Sequence, residues 1–209
     1  MPTIYSLKPR FQTLLQPAVT GLARAGVSAN QVTLAALALS ALTGAALAGF
    51  PGQPGLLLLL PVVLLLRMAL NAIDGQLARQ YHMESRLGAM LNELGDVLSD
   101  SLLYLPFALL PGFSAALVAG VVLLLALSEM AGVLAQTLGA GRRYDGPLGK
   151  SDRAFAFSLL AIGAALDPAP RYWPALALGL LFALAAATVA NRVIHALKAE
   201  GVRHGTHES

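Results

Sequence analysis

Two short stretches of this sequence repeat polar side chains at helical intervals. In the first, Asn71, Asp74, Ala78 and Arg79 follow helical spacing; in the second, Gly88, Asn92, Asp96 and Asp100 recur every four residues. Side chains three or four positions apart share a helix face, so two neighbouring helices would each present a polar stripe to the other. Oxygen atoms converging in this way suit a hard divalent cation, Mg2+ or Mn2+. Asn71, Asp74, Asn92, Asp96 and Asp100 are therefore the candidate metal ligands. Gly75, Ala78 and Gly88 are small enough to let a flat or bulky group approach the backbone.

The setting makes this polarity significant. Hydrophobic residues form 56% of the 209 and charged residues 12%, against about 25% charged in ordinary soluble domains. Mean hydropathy is +0.68. A chain this apolar cannot hide its surface inside one globule of this size, so lipid is expected to cover it. Of the 11 acids, those at 74, 84, 93, 96 and 100 crowd into one short region. Ionisable groups inside a membrane usually face a cavity or the bundle interior and carry function. There are no cysteines, which excludes disulfides and thiolate metal sites. The net charge of +3 reflects basic residues flanking apolar runs, so membrane topology explains it better than nucleic-acid binding.

Stretches of about 20 mainly apolar residues are long enough to span a bilayer. Six are expected, near Gln31–Phe50, Gly55–Gln80, Leu87–Leu110, Phe113–Leu138, Arg153–Leu166 and Tyr172–Leu197. Pro51, Pro54, Pro111, Gly112, Pro168, Pro170 and Pro174 break the intervals between them. The first 25 residues, with Lys8, Pro9, Arg10 and Pro17, read as an amphipathic helix on the membrane surface rather than a cleaved leader. The expected architecture is a single all-α, polytopic domain over 1–209. It comprises an interfacial helix at 1–25, a six-helix bundle at 28–200 and a cytoplasmic tail at 201–209. Basic residues gather in alternate loops: Lys8, Arg10 and Arg24; the segment Arg79–Arg86; Arg142, Arg143, Lys150 and Arg153; and Lys198 and Arg203. Positive loops stay in the cytoplasm, so both termini and the polar stripes are expected on that side of a bacterial inner membrane. The small residues Ser40, Gly44 and Ala48 form a stripe suited to helix packing.

Other polar residues add to the constellation. Lys150 and Arg153 follow Gly146-Pro147 and open a helix, where an anion also meets free N–H groups; they are candidates for binding a phosphate. Arg67 stands one turn before Asn71. Glu129, within an apolar helix, is either an acceptor-site residue or the partner of an arginine such as Arg67 or Arg192. His195, His204 and His207 read as solvent-facing.

The stretch Asn71-Ala-Ile-Asp74-Gly75-Gln-Leu-Ala78-Arg79, then eight residues, then Gly88-Ala-Met-Leu-Asn92-Glu-Leu-Gly-Asp96, resembles the motif of the CDP-alcohol phosphotransferases. That motif reads D-x-x-D-G-x-x-A-R, eight residues, G-x-x-x-D-x-x-x-D. The spacing agrees throughout, and six of the eight fixed positions agree in identity. Ser28-Ala-Asn30-Gln-Val-Thr33 is similar to the family's polar entry into the first membrane helix, with Ala29 in place of Pro. Gly146-Pro-Leu-Gly-Lys150-Ser-Asp-Arg153 points to a bacterial branch.

The resemblance implies a metal-dependent enzyme of phospholipid biosynthesis with six membrane helices, and homodimers are known among its relatives. It would displace CMP from a CDP-linked lipid such as CDP-diacylglycerol with the hydroxyl of a small polar alcohol. Motif aspartates would hold metal against the diphosphate, and the last, here Asp96, would act as base. Asn30, Thr33, Asp74, Gly75, Ala78, Arg79 and Gly88 would hold the donor; Lys150, Arg153, Glu129 and Arg67 would serve the acceptor or its phosphate. The departures are Asn71 and Asn92, which stand where the motif has aspartate. They keep a carbonyl oxygen but remove two charges, which points to weaker metal binding and a single ion. Glu93 projects about 100° from Asn92 and is a poor replacement, whereas Asp100 lies one turn beyond Asp96. Two other readings stand beside this one: a catalytically silent relative that binds a CDP-lipid, and a small-solute or ion transporter.

Overall fold

Where the chain bends is set by residues that cannot extend a helix or that satisfy its first free N–H groups. The computed structural model describes residues 4–167 and 169–204, with side chains for 11–167 and 169–199. Among them lie α1 (Ile4–Arg24), α2 (Ala29–Gly49), α3 (Pro54–Gln80), α4 (Arg86–Tyr104), α5 (Ala115–Thr137), α6 (Lys150–Leu166) and α7 (Trp173–His204), and no strand. Ser28 starts α2 by a reciprocal exchange: its hydroxyl accepts from the Gln31 N–H, and the Gln31 side chain accepts from the Ser28 N–H. Ser85 caps α4 by accepting from the Gly88 N–H at 2.9 Å.

Three boundaries differ from the sequence expectation. The helix expected over Leu87–Leu110 ends at Tyr104 and tightens into a 3-10 segment, Leu105–Leu109, because Pro106 has no N–H to continue the ladder. α6 begins at Lys150 rather than Arg153, since the Asp152 carboxylate accepts from the Gly149 N–H at 2.9 Å and organises an earlier first turn. α7 continues past Leu197 to His204, into the segment expected to be a tail. The rest of that segment, with His207, lies outside the described residues, as do residues 1–3, Pro168 and the side chains of Lys8, Arg10 and His204.

Four helices, α2, α3, α5 and α7, are long and apolar enough to cross a membrane. α4 carries Glu93, Asp96 and Asp100 along its length, and α6 has only 17 residues, short of the roughly 20 that a straight crossing takes. Leu58, Leu65, Leu123, Leu176 and Leu180 are exposed on the long helices.

In the bundle, α2 packs between α3 and α4, α5 runs along α7, and α3 also meets α6. An aromatic floor ties the far ends together: Tyr104 stacks on Phe157 at 3.7 Å, and Phe107 meets Phe113 and Phe157 edge-on. α1 lies against α3. Val19 joins Ala29, Val32, Ile73 and Leu77 in a small apolar cluster, and Gln16 pairs with Gln80.

The α2–α4 contact is close because Gly44 faces the main chain of Leu102; a Cβ there would collide with the Leu102 carbonyl. Ser40 is buried on the same stripe, while Ala48 is exposed. Gly44→Ala should therefore force the two helices apart and lower stability by about 1–3 kcal/mol. Thermal unfolding in detergent micelles measures this, and an unchanged midpoint would contradict the packing.

Candidate functional site

Because α2, α3 and α4 pack together, their polar stripes meet at one end of the bundle. Thr33 of α2 donates its hydroxyl to Asp74 Oδ2 of α3 at 2.7 Å. Asn71, one turn earlier, donates its amide to Asp96 Oδ1 of α4 at 2.7 Å. Asp74 also lies within electrostatic range of Asp96 and Lys150. The half-buried Asn92 shares the α4 face with Gly88 and Asp96 and makes no side-chain hydrogen bond among the described residues. Asn71, Asp74 and Asp96 of the two stripes are thus brought together.

The basic residues complete the arrangement. Arg67 Nη2 reaches Asp96 Oδ1 at 3.2 Å and the Asp96 carbonyl at 3.1 Å, while its Nη1 meets Asp100 Oδ1 at 2.5 Å. Lys150 Nζ pairs with Asp96 Oδ2. Arg153 Nε lies 2.6 Å from Asp100 Oδ2, and its Nη1 lies 2.9 Å from Glu129 Oε1. Glu129, on α5, also meets Arg142 at 2.9 Å and Arg192 of α7 at 3.5 Å. Arg142 pairs in addition with Glu93. Glu129 thus pairs with arginines, Arg192 among them but not Arg67. Arg153 is 1% exposed between two carboxylates, so it braces the site rather than facing an incoming phosphate. The side chain of Lys150 is 36% exposed and can reach one.

Arg142 is the participant that sequence reasoning missed, having read it as a loop charge that sets topology. The loop folds back instead of projecting into water. The Arg143 N–H donates to the Gly132 carbonyl at 3.2 Å, and the Leu148 N–H donates to Thr188 Oγ1 at 3.0 Å. Gly146, at φ +127, is pressed against Thr188, where a Cβ would lie 2.6 Å from its methyl. The available signal was the glycines at 139, 141 and 146, which bracket the two arginines and permit such reversals. Burial pulls the Arg142 pKa below its ordinary value; nearby Tyr144 opposes that shift, and the cations Arg192 and Arg153 add to it.

Around Asp74 and Gly88 the surface is built from small residues. A Cβ on Gly88 would fall 2.6 Å from Asn30 Oδ1, so glycine lets α4 approach the start of α2. The Arg79 guanidinium lies over Gly75, where a Cβ would come within 3.2 Å of it. Arg79 is exposed and has no carboxylate partner among the described residues.

A divalent cation needs oxygen atoms that are not already claimed. Asp74 Oδ1 is buried without a hydrogen-bond partner among the described residues, and Asn71 turns its NH2 to Asp96, which leaves its carbonyl oxygen unclaimed among them. Asp96 and Asp100, by contrast, have both oxygens engaged by Asn71, Arg67, Lys150 and Arg153. No three His, Cys, Asp or Glu side chains gather closely enough to hold an ion among the described residues. The donor set fits one cation on the Asp74 side and does not fit two.

The chain is similar to known proteins in sequence and in fold. A family model described as CDP-alcohol phosphatidyltransferase matches residues 26–197. The chain is 50% identical over 190 residues to the Inner membrane protein YnbA of Escherichia coli (strain K12), covering 91% of this chain and 94% of that protein. Its fold is similar to the crystal structure of Mycobacterium tuberculosis phosphatidylinositol phosphate synthase (PgsA1) with CDP-DAG bound. The TM-score is 0.66 at 21% identity, covering 88% of this chain and 92% of the other.

The shared position of Arg153 has a measurable consequence. Arg153→Met would leave Asp100 and Glu129 buried with a cation removed, and stability should fall by about 3–5 kcal/mol. Chemical unfolding in micelles reads the loss, and a change within about 0.5 kcal/mol, typical of surface substitutions, would mean that the pairing does not bear on the fold.

Proposed function

The chain belongs to the CDP-alcohol phosphatidyltransferase family, and from that premise we propose that it transfers a phosphatidyl group from a CDP-linked lipid, such as CDP-diacylglycerol, to the hydroxyl of a small polar alcohol. The observation that carries this reading is the convergence of Asp74 and Asp96, the two retained motif carboxylates, beside Gly75, Arg79 and Gly88. The donor's diphosphate would meet Arg79, and its cytidine would lie along Asn30, Thr33, Gly75, Ala78 and Gly88, where small residues leave the backbone approachable.

In the reaction, the acceptor oxygen forms a bond to the lipid-side phosphorus, the bond from that phosphorus to CMP breaks, and CMP leaves. Asp96 takes the hydroxyl proton. Arg67 and Asn71 hold its Oδ1, so the carboxylate is oriented with Oδ2 towards Lys150 and the acceptor side. One divalent cation, Mg2+ or Mn2+, held by Asp74 with Asn71 and Asn92, would offset charge building on the diphosphate. Lys150 is the exposed cation best placed to meet a phosphate on the acceptor or donor; Glu129, Arg67 and Arg153 keep the pocket in shape.

The same premise supports a membrane arrangement. All six helices α2–α7 cross a bacterial inner membrane, α4 and α6 turning Leu94, Leu98, Phe155 and Leu159 outward to the lipid, and α1 lies along the interface. Both termini and the site then sit on the cytoplasmic side, in accord with the basic loops, and the protein works as a homodimer. A catalytically silent CDP-lipid binder is the second reading, favoured by the neutral Asn71 and Asn92.

CMP release by the purified protein with CDP-diacylglycerol and a panel of alcohols separates the two readings: release dependent on an alcohol is expected, and donor binding without release would identify the silent relative. Asp96→Asn should lower turnover by at least about 100-fold while donor binding persists. Turnover near the wild-type rate would remove Asp96 as the base.

A further inference from the structure

The charged groups of the site balance without help from outside. Asp74, Glu93, Asp96, Asp100 and Glu129 stand against Arg67, Arg142, Lys150, Arg153 and Arg192, and charge for charge the two sets cancel; the exposed Arg79, over Gly75, stands outside them. Asp74 is the carboxylate of this set without a cationic partner among the described residues; it is 3% exposed, and its Oδ1 is unpartnered. Next to it, the other retained motif carboxylate, Asp96, already carries an ammonium group on Oδ2. A divalent ion entering this neutral centre would have to displace Lys150 or sit beside it, and either is unfavourable in surroundings of low dielectric. The balance changes when a diphosphate arrives, because it brings negative charge that the core lacks.

Lys150 is built to respond. Its neighbours in the network are rigid guanidinium groups, each held by two or more acceptors. Lys150 is a single flexible stem with one carboxylate partner and a partly exposed head. It can exchange Asp96 for a phosphate oxygen by rotating its side chain, whereas Arg67 and Arg153 cannot move without uncovering buried carboxylates.

We infer that Lys150 is an internal counter-ion that occupies Asp96 until the donor's diphosphate draws it away, so that divalent-cation binding and the freeing of Asp96 Oδ2 both wait for the donor. Lys150 thereby acts as a positioning residue: it keeps the base covered and the cation out of an empty site. This rests on the diphosphate donor proposed above.

Calorimetric titration of Mg2+ into the full-length protein in micelles tests it, with and without saturating CDP-diacylglycerol. The wild type should take up no Mg2+ at millimolar concentration alone and one ion per chain with the donor. Lys150→Met, which leaves Asp96 Oδ2 free, should bind Mg2+ without donor with affinity raised about tenfold or more. Lys150→Arg, which keeps the charge, should, like the wild type, take up no Mg2+ without donor. Equal Mg2+ affinity of the wild type with and without donor would overturn the inference, as would donor-free binding unchanged by Lys150→Met. Failure of CDP-diacylglycerol to bind any of the three proteins would instead overturn the donor assignment, since the donor-free comparison of wild type with Lys150→Met decides the role of Lys150 alone.

Discussion

A buried charge in an apolar fold must be answered by another charge, and here that requirement organises the bundle. Arg153 lies between Asp100 and Glu129, Arg67 links Asp100 to Asp96, and Arg142 links Glu129 to Glu93. The chain of pairs passes from α3 through α4 and α6 to α5, with Arg192 of α7 closing the edge. Each of these five helices thus contributes a group that would be costly to leave alone in low dielectric. The aromatic floor of Tyr104, Phe107 and Phe157 seals the network from one side. Apolar packing holds the helices together, but these pairs fix which faces turn inward.

The network also divides labour among residues that look alike. Asp100 has both oxygens paired and Arg153 is buried between two carboxylates, so their work is to hold position. Asp74 and Arg79 lie at the opposite edge, one with an oxygen unclaimed and the other exposed over Gly75. Asp96 and Lys150 stand between the two groups, tied into the framework on one side and open to exchange on the other. Only this outer part has the freedom to meet a ligand, and its small residues leave room for one.

Much of this was legible because helical periodicity is local. The four-residue spacing of Gly88, Asn92, Asp96 and Asp100 predicts one shared face; Gly88 on it lies against Asn30 of α2, while Asp96 and Asp100 are reached by the Asn71 and Arg67 side chains of α3. Helix ends were readable where a local device sets them, as with Ser28 and Gln31. The partners were harder to read. Arg67 and Asp100 are 33 residues apart, and Arg153 and Glu129 are 24 apart; nothing local says which acid meets which base. For the same reason Arg142 read as a solvated loop charge, since its role depends on a loop that turns back onto Gly132 and Thr188. The split after Tyr104 was obscured because Leu105–Leu109 continue the apolar pattern in composition while Pro106 interrupts it in geometry.

The pairing of Arg67 with Asp100 bears on how such a chain is made. Synthesis delivers α3 before α4, so the guanidinium is present while the carboxylate that neutralises it is still on the ribosome. A chain handed to a bilayer one helix at a time would have to set down α3 with an unanswered charge in its middle. Handing over α3 and α4 together, with that ion pair already formed, avoids the exposed intermediate. The short connection between them, Tyr81–Ser85, keeps the two helices close enough to leave as one unit. The buried ion pair thereby favours an order of assembly as well as a final structure.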